Sequence, residues 1–180
     1  MLKYLLFIIP LIFGFELIEK YNPTVYKEFS FCQSAEPILR ETTKSVIEDI
    51  NKYKILYVSL NDNKTITKNE QDNINSICST HNYAESFGYT SFYYNQYETD
   101  ISISQRLYNT PNLLYNVISH EVLHSVGLNH THENGLMNYS LKVDKYGRLI
   151  EDCTKWYLSL DDIQGLRFIK RLSCPINNNP

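Results

Sequence analysis

An excess of positive charge is missing from this sequence of 180 residues. Lys and Arg number 17 against 20 Asp and Glu, the formal net charge is −3, and the basic residues are scattered along the chain. A nucleic acid is therefore not an expected partner, because phosphate binding needs a basic patch. Internal repeats are missing too. With 43% hydrophobic and 21% charged residues, the composition indicates one soluble globular domain.

A hydrophobic run long enough to cross a membrane is also missing. The N-terminal apolar run covers Tyr4–Phe15 and contains Pro10, whereas a membrane span needs about 20 apolar residues. We expect no stable membrane span. The run is typical of a signal peptide over residues 1–20, cleaved near Gly14 or a few residues later although no A-x-A site is present. The protein is then expected to be secreted.

Cysteine is scarce but even in number, with Cys32, Cys78, Cys153 and Cys174. Four cysteines allow three pairings, and a secretory compartment permits disulfide bonds. The alternative is four reduced thiols buried as small hydrophobic side chains.

The most informative feature present is H-E-x-x-H-x-x-G-x-x-H, from His120 to His130. On a helix, His120 and His124 lie on the same face, with Glu121 beside them. A continuous helix would carry His130 roughly 15 Å along the axis from His120, too far to share one ion. The chain must therefore turn, and Gly127 can adopt the positive φ that ends a helix.

Three histidine ligands leave one coordination position open, which is typical of a catalytic zinc site. Glu121 is then expected to act as the general base for a zinc-activated water that attacks a peptide bond. His132 is a weaker alternative to His130 as third ligand, because the eleven-residue spacing selects His130. His81 is expected to be an ordinary loop histidine.

The full motif, followed by Met137, resembles the signature of the metzincin zinc peptidases. Residues 125–131 look most like the matrixins, the matrix metalloproteinase family. Residues 112–117 resemble the approach to the matrixin zinc helix, and residues 156–166 resemble the start of its last helix. The likeness implies a secreted zinc-dependent endopeptidase consisting of a catalytic domain without propeptide or hemopexin domain, with Met137 as an apolar floor beneath the histidines.

The sequence departs from the matrixin pattern after Met137. No Pro follows it, and Tyr139 comes two residues later, a spacing that resembles the astacins. Tyr139 is expected to line the substrate pocket with Val117, or by analogy to approach the metal. The resemblance leaves calcium undecided. The alternative function is a non-catalytic secreted binding protein on the same scaffold, and the intact Glu121 is the argument against it.

Hydrophobic periodicity and turn signals predict an α+β fold, with an α/β upper half and an irregular lower half. The resemblance implies a metzincin-type zincin fold with a twisted, mostly parallel five-stranded sheet, an active-site helix and a C-terminal helix. The expected elements are a strand at Thr24–Phe31, a helix at Pro37–Asn51, strands at Ile55–Leu60, Ile74–Cys78, Phe87–Tyr94 and Asp100–Ser104, a zinc helix from Thr110–Pro111 to Val126 and a helix at Leu158–Leu172. Residues 61–64 are expected to form a turn, 21–175 the domain and 176–180 a disordered tail.

The matrixin-like strand order leads to two further expectations. It places the ends of the first and third strands side by side, which pairs Cys32 with Cys78 and leaves Cys153 for Cys174. It also makes Phe87–Tyr94 an antiparallel edge strand that pairs with an extended protein or peptide substrate, or else a plain edge strand exposed to solvent. The protein is expected to be a monomer.

Overall fold

The computed structural model describes residues 17–18, 23–67, 74–81, 87–93, 98–131, 136–137 and 158–173. Its elements, in chain order, are β1 (Tyr26–Cys32), α1 (Pro37–Asn51), β2 (Tyr57–Ile66), β3 (Ser76–Thr80), β4 (Gly88–Phe92), β5 (Thr99–Ser104), a 3₁₀ helix (Gln105–Asn109), α2 (Pro111–Ser125) and α3 (Leu160–Ser173). The sequence did not predict the 3₁₀ helix, which Ser104 caps by accepting a hydrogen bond from the Arg106 N–H.

The strands form one sheet in the order β2-β1-β3-β5-β4. Neighbouring strands are parallel except β4, which runs antiparallel to β5. The expected five-stranded, mostly parallel sheet is therefore confirmed, as is the place of β4 at its edge. Parallel strands need crossover connections, and α1 supplies the one between β1 and β2.

The core lies between one face of this sheet and helices α1 and α2. Side chains two apart on a strand share a face, and the inward ones on β1, β3 and β5 are fully buried: Phe29, Phe31, Ile77, Ile101 and Ile103. Helix α2 is the central element, since twelve of its fifteen residues are buried. Each large apolar side chain buried here contributes roughly 1.5–3 kcal/mol to the stability of the fold. The side chains that α2 carries are therefore held in place by a well-packed helix.

Helix α1 has the bounds that the sequence predicts, with Pro37 in its first turn. Its buried residues recur at helical spacing, and Asn51 at its end fixes the entry to β2. The Asn51 side chain accepts from the Val58 N–H at 3.0 Å and donates to the Val58 carbonyl at 2.8 Å. The Asn51 amide thus satisfies both backbone hydrogen-bonding groups of Val58, as a neighbouring strand would.

One local prediction is wrong. The turn expected at residues 61–64 is part of β2, although the register with β1 jumps from Ser30↔Asn61 to Phe31↔Thr65. An edge strand tolerates polar residues because one side of it faces solvent. Thr110 precedes α2 but does not cap it with its side chain; its hydroxyl donates instead to the Leu107 carbonyl at 2.9 Å.

Cys32 and Cys78 form a disulfide bond, with their Cα atoms 4.9 Å apart. The bond joins the C-terminal part of β1 to β3, which are parallel neighbours, and this is the pairing that the strand order predicts. Cys153 and Cys174 lie outside the described residues.

Candidate metal centre

Helix α2 carries three of the four residues expected to do the chemistry. Glu121 and His124 are buried and His120 is half-buried, because α2 packs between the sheet and the rest of the core. The helix ends as the sequence predicts. Gly127 has a φ of 110°, and its N–H donates to the His124 carbonyl at 2.9 Å.

The next N–H, of Leu128, donates to the Leu123 carbonyl at 3.2 Å. Together with the Gly127 bond this is the pair of hydrogen bonds that closes a helix with a left-handed residue just past its end. A side chain at Gly127 would be strained in this conformation. The turn reverses the chain and brings His130 back toward α2.

The three histidine rings meet at their Nε2 atoms. The Nε2 of His130 lies 3.1 Å from that of His124 and 3.2 Å from that of His120. On the opposite side of the rings, the Nδ1 of His120 lies 2.7 Å from the Leu136 carbonyl, and the Nδ1 of His124 lies 2.7 Å from the Leu128 carbonyl. A carbonyl oxygen can only accept, so both Nδ1 atoms carry the hydrogen.

This donor set fits a zinc ion. With Nδ1 protonated, His120 and His124 turn their Nε2 lone pairs toward the Nε2 of His130, which is how histidine ligands face a shared cation. Zn–N distances of about 2.0–2.1 Å in tetrahedral geometry place two ligand nitrogens about 3.3 Å apart, close to the separations found here. Among the described residues, His120, His124 and His130 are the one group of three or more His, Cys, Asp or Glu side chains able to hold a metal.

Burial keeps the histidines on α2 neutral. Loss of water around the rings lowers the pKa of His120 to about 4 and that of His124 to about 3, with the neighbouring ring adding to the effect at His124. Their hydrogen bonds to backbone carbonyls only partly oppose this shift. Both rings therefore present unprotonated Nε2 atoms at neutral pH, which is the form that binds metal.

Glu121 faces strand β4 across a short gap. The Thr90 hydroxyl lies 2.7 Å from Glu121 Oε2 and 3.1 Å from the Glu121 backbone oxygen. Burial raises the pKa of Glu121 to about 7, and the hydrogen bond from Thr90 opposes that rise. A carboxylate with a pKa near neutrality can both accept and return a proton at physiological pH.

Gly88 makes the closest approach of β4 to α2. A Cβ atom built on Gly88 would lie 2.7 Å from Val117 Cγ1 and 3.1 Å from Glu121 Cγ and Oε1. No real side chain fits at the first of these distances, so β4 and α2 approach this closely because the residue is glycine. Val117, expected to line the substrate pocket, is buried and packs between the helix and this strand.

Met137, the methionine of the resemblance, is 1% exposed and lies in a short segment that is hydrogen-bonded to His120 and to Thr131, the residue after His130. The Leu136 carbonyl binds His120 as described, and the Met137 carbonyl accepts from the Thr131 N–H at 2.8 Å. Asp162 of α3 holds the same segment, since its Oδ2 accepts from the Leu136 N–H at 3.2 Å. Asp162 lies in the segment that resembles the last matrixin helix. That resemblance could have pointed to this residue, but the sequence analysis assigned it no role.

Several expectations lie at or beyond the limits of the described residues. His132 and Tyr139, the alternative ligand and the pocket residue, lie outside them, as does most of the expected signal peptide. His81 is described and exposed, and it is not part of the histidine cluster.

Two residues of the expected signal peptide are described, and they contact the turn after α2. Leu17 forms a β-bridge with Leu128, and the Ile18 N–H donates to the Gly127 carbonyl at 3.0 Å. Leu17 also packs against the core. Within the parts of the chain that the structure describes, no helix is long and apolar enough to cross a membrane.

No protein-family model matches this sequence, and a search of curated proteins finds no match. Among solved structures, the chain is similar to high choriolytic enzyme 1, a hatching enzyme zinc-protease from Oryzias latipes (medaka fish). The TM-score is 0.51 at 11% sequence identity, over 81% of this chain and 89% of that one. The fold is therefore the metzincin-type zincin fold that the resemblance implies, and the identity is too low to carry more than the fold.

Proposed function

We propose that this protein is a zinc-dependent endopeptidase. The observation that carries the proposal is the meeting of three Nε2 atoms at 3.1–3.2 Å beside the buried carboxylate of Glu121. A structural zinc site would have four protein ligands, whereas the described residues supply three with a candidate base beside them. The similarity of fold to a zinc-protease supports the same conclusion.

His120, His124 and His130 would hold the ion. Zinc in such a set supplies a Lewis acid for the peptide carbonyl and for water. Glu121 takes the proton from the water that attacks the peptide carbonyl. It then gives the proton to the amine nitrogen of the leaving peptide, so that the two products separate. Its place beside the three rings suits this role, because a general base must lie within reach of the proton that it takes.

Strand β4 is the proposed substrate-binding element. It is the last strand of the sheet, antiparallel to β5, and its other edge has no strand partner among the described residues. An extended peptide added there would be held by main-chain hydrogen bonds and would read little of its sequence. Tyr139 and Val117 are proposed to line the adjoining side-chain pocket.

We further propose that the protein is secreted and resembles the matrixins more than other metzincins. The disulfide bond between Cys32 and Cys78 supports passage through an oxidising compartment. The contacts of Leu17 and Ile18 with the turn after α2 favour removal of the leader before Leu17, at the Gly14 end of the expected range, because later cleavage would discard them.

The test begins with metal analysis and peptide cleavage by purified mature protein. We expect one zinc ion per chain, cleavage of unfolded protein, and loss of cleavage on chelation. A folded preparation without stoichiometric zinc contradicts the proposal. Profiling of cleavage sites on a denatured proteome would separate a peptidase from a binding protein on the same scaffold and would report its side-chain preference.

Two variants separate the base from the ligands. Glu121→Gln keeps the size of the side chain but cannot accept a proton, so turnover is expected to fall at least about 100-fold, since general-base catalysis contributes 10²- to 10⁴-fold, while zinc stays bound. His124→Ala is expected to lose both turnover and bound zinc. Turnover by Glu121→Gln at close to the wild-type rate would show that another group is the base.

A further inference from the structure

Strand β4 touches the reaction centre with two side-chain positions of one face. Gly88 and Thr90 are two apart and so face the same way, toward α2: the Thr90 hydroxyl is hydrogen-bonded to Glu121, and a Cβ on Gly88 would lie 3.1 Å from it. Tyr89 and Ser91 alternate with them and are exposed. The strand proposed to hold substrate along its edge therefore also contacts the proposed base through its inner face.

We propose that Thr90 is a positioning residue that fixes the carboxylate of Glu121 for catalysis. The proposal rests on the function proposed above. Its basis is the hydroxyl of Thr90, 2.7 Å from Glu121 Oε2. Glu121 Oε1 lies beside the same strand, 3.1 Å from the point that a Cβ on Gly88 would occupy. Strand β4 thus binds one oxygen of the base and runs close to the other.

The geometry leaves the carboxylate little freedom. A glutamate side chain has several rotatable bonds, and a base must be held within about 0.5 Å of its working position to be effective. The backbone of β4 at Gly88 limits the space on that side of the carboxylate, and the hydroxyl of Thr90 restrains its rotation. A hydrogen bond to an ionised oxygen is also roughly twice as strong as one between neutral groups.

The arrangement also couples the base to the substrate. A peptide paired with the edge of β4 is placed relative to the backbone of Thr90, and Glu121 is placed relative to the side chain of the same residue. The distance from base to scissile bond is then set through a single residue and not through two separately moving elements. Sub-ångström placement of this kind is where large rate effects arise.

The test compares Thr90→Val, which keeps the shape and removes the hydroxyl, with Thr90→Ser, which keeps the hydroxyl. Thr65→Val is the matched control, the same substitution at an exposed threonine on β2, at the other end of the sheet. We expect Thr90→Val to lower kcat roughly 10- to 100-fold, the range for loss of an outer hydrogen-bond partner at a metal site. KM and zinc affinity, measured by chelator competition, should stay near the wild-type values, and Thr90→Ser and Thr65→Val should retain most of kcat.

A second readout needs neither zinc nor substrate. In protein labelled with ¹³C at glutamate carboxyl groups, the Glu121 signal is the one lost in Glu121→Gln. In zinc-free protein we expect this signal to shift in Thr90→Val and to stay in place in Thr90→Ser and Thr65→Val. The contact between the two side chains is thereby measured directly.

The outcomes are distinct. Wild-type kcat in Thr90→Val, or an equal loss in Thr90→Ser, overturns the positioning role, as does an unmoved carboxyl signal. A fall in zinc affinity that matches the fall in kcat would mean that Thr90 only supports the fold of the site, which also overturns it. If the wild-type protein cleaves no peptide, the proposed peptidase function fails, and with it the catalytic part of this proposal.

Discussion

Lys27 is a charged side chain buried in β1, only 5% exposed. Its Nζ donates to Asn75 Oδ1 at 2.9 Å, and that oxygen also accepts from the Thr99 N–H at 3.0 Å and from the Thr99 hydroxyl. Burial lowers the pKa of Lys27 to about 8, although the charge of Glu98 pulls in the opposite direction. The ammonium group is therefore carried at a cost in stability.

We predict that Lys27→Met stabilises the protein at pH 7. A folded-state pKa below the unfolded value means that the folded protein binds fewer protons, so stability is lost as pH falls from 10.5 to 8. At pH 7 the wild type bears this whole loss, which a drop in pKa from 10.5 to about 8 sets at up to about 3 kcal/mol. After the change, Asn75 Oδ1 still accepts two hydrogen bonds, both from Thr99.

Urea unfolding at pH 7 and pH 10 checks the prediction. The advantage of Lys27→Met should shrink at the higher pH, where the wild-type lysine is mostly neutral when folded. Lys64→Met is the control, since Lys64 is exposed on β2 and its loss should change little at either pH. A variant less stable than wild type at pH 7 would show that the hydrogen bond to Asn75 outweighs the burial of the charge.

Residues of the metal site were predictable from sequence to different degrees. The motif predicts His120, His124 and Glu121 because helical spacing alone puts them together, and Gly127 predicts the return of His130. Thr90 carries no such signal. It lies 31 positions before Glu121 on a different element, and only the antiparallel placement of β4 brings the two together.

At the scale of elements, α3 and the segment Leu136–Met137 act as one unit. Asp162 is 2% exposed, and its Oδ2 accepts from the Ser159 N–H at 2.8 Å and from the Leu136 N–H at 3.2 Å. Leu136 in turn binds the His120 ring through its carbonyl. One carboxylate thus links the start of a helix to the orientation of His120, a proposed metal ligand.

We predict that Asp162→Ala destabilises the protein by about 2–5 kcal/mol. It leaves two N–H groups without their acceptor, and a buried unsatisfied donor costs roughly 1–3 kcal/mol. Zinc affinity should also fall about 10- to 100-fold, because the partners of a metal-bound histidine fix its orientation. Asp162→Asn keeps an acceptor oxygen and should lose less stability and less zinc affinity. Urea unfolding and chelator competition measure the two effects; unchanged zinc affinity in Asp162→Ala would confine the link to stability.

The elements also show what local sequence can and cannot specify. Helix α1 begins and ends where Pro37 and the apolar spacing predict. Strand β2 does not end where its apolar residues end, because pairing with β1 continues through Asn61 and resumes at Thr65. Polar residues on an exposed edge look the same in sequence as a turn, and only the partner strand distinguishes them.

For the whole molecule, the fold and the chemistry depend on different parts of the sequence. The fold is shared with a chain of 11% identity, which is possible because a sheet with one buried face requires apolar residues at alternate positions but seldom particular ones. The site depends instead on a few fixed residues. The eleven-residue motif therefore predicted which three histidines come together, whereas the sheet followed from resemblance and only in outline from periodicity.

The disulfide bond acts at this largest scale, because it joins two strands that are 46 residues apart in sequence. Closing a loop of that length stabilises a protein by about 4 kcal/mol in the chain-entropy model. We predict this loss for the double variant Cys32→Ala/Cys78→Ala. At 2–4 °C per kcal/mol for a domain of this size, the melting temperature should fall by roughly 8–16 °C.

Reductant provides the control for this prediction. It should lower the melting temperature of the wild type at least as far as the double substitution does. Any further loss when the variant itself is reduced would come from a second bridge, the expected pairing of Cys153 with Cys174. A wild type that melts at the same temperature with and without reductant would contradict the prediction, and it would also remove the disulfide as support for secretion.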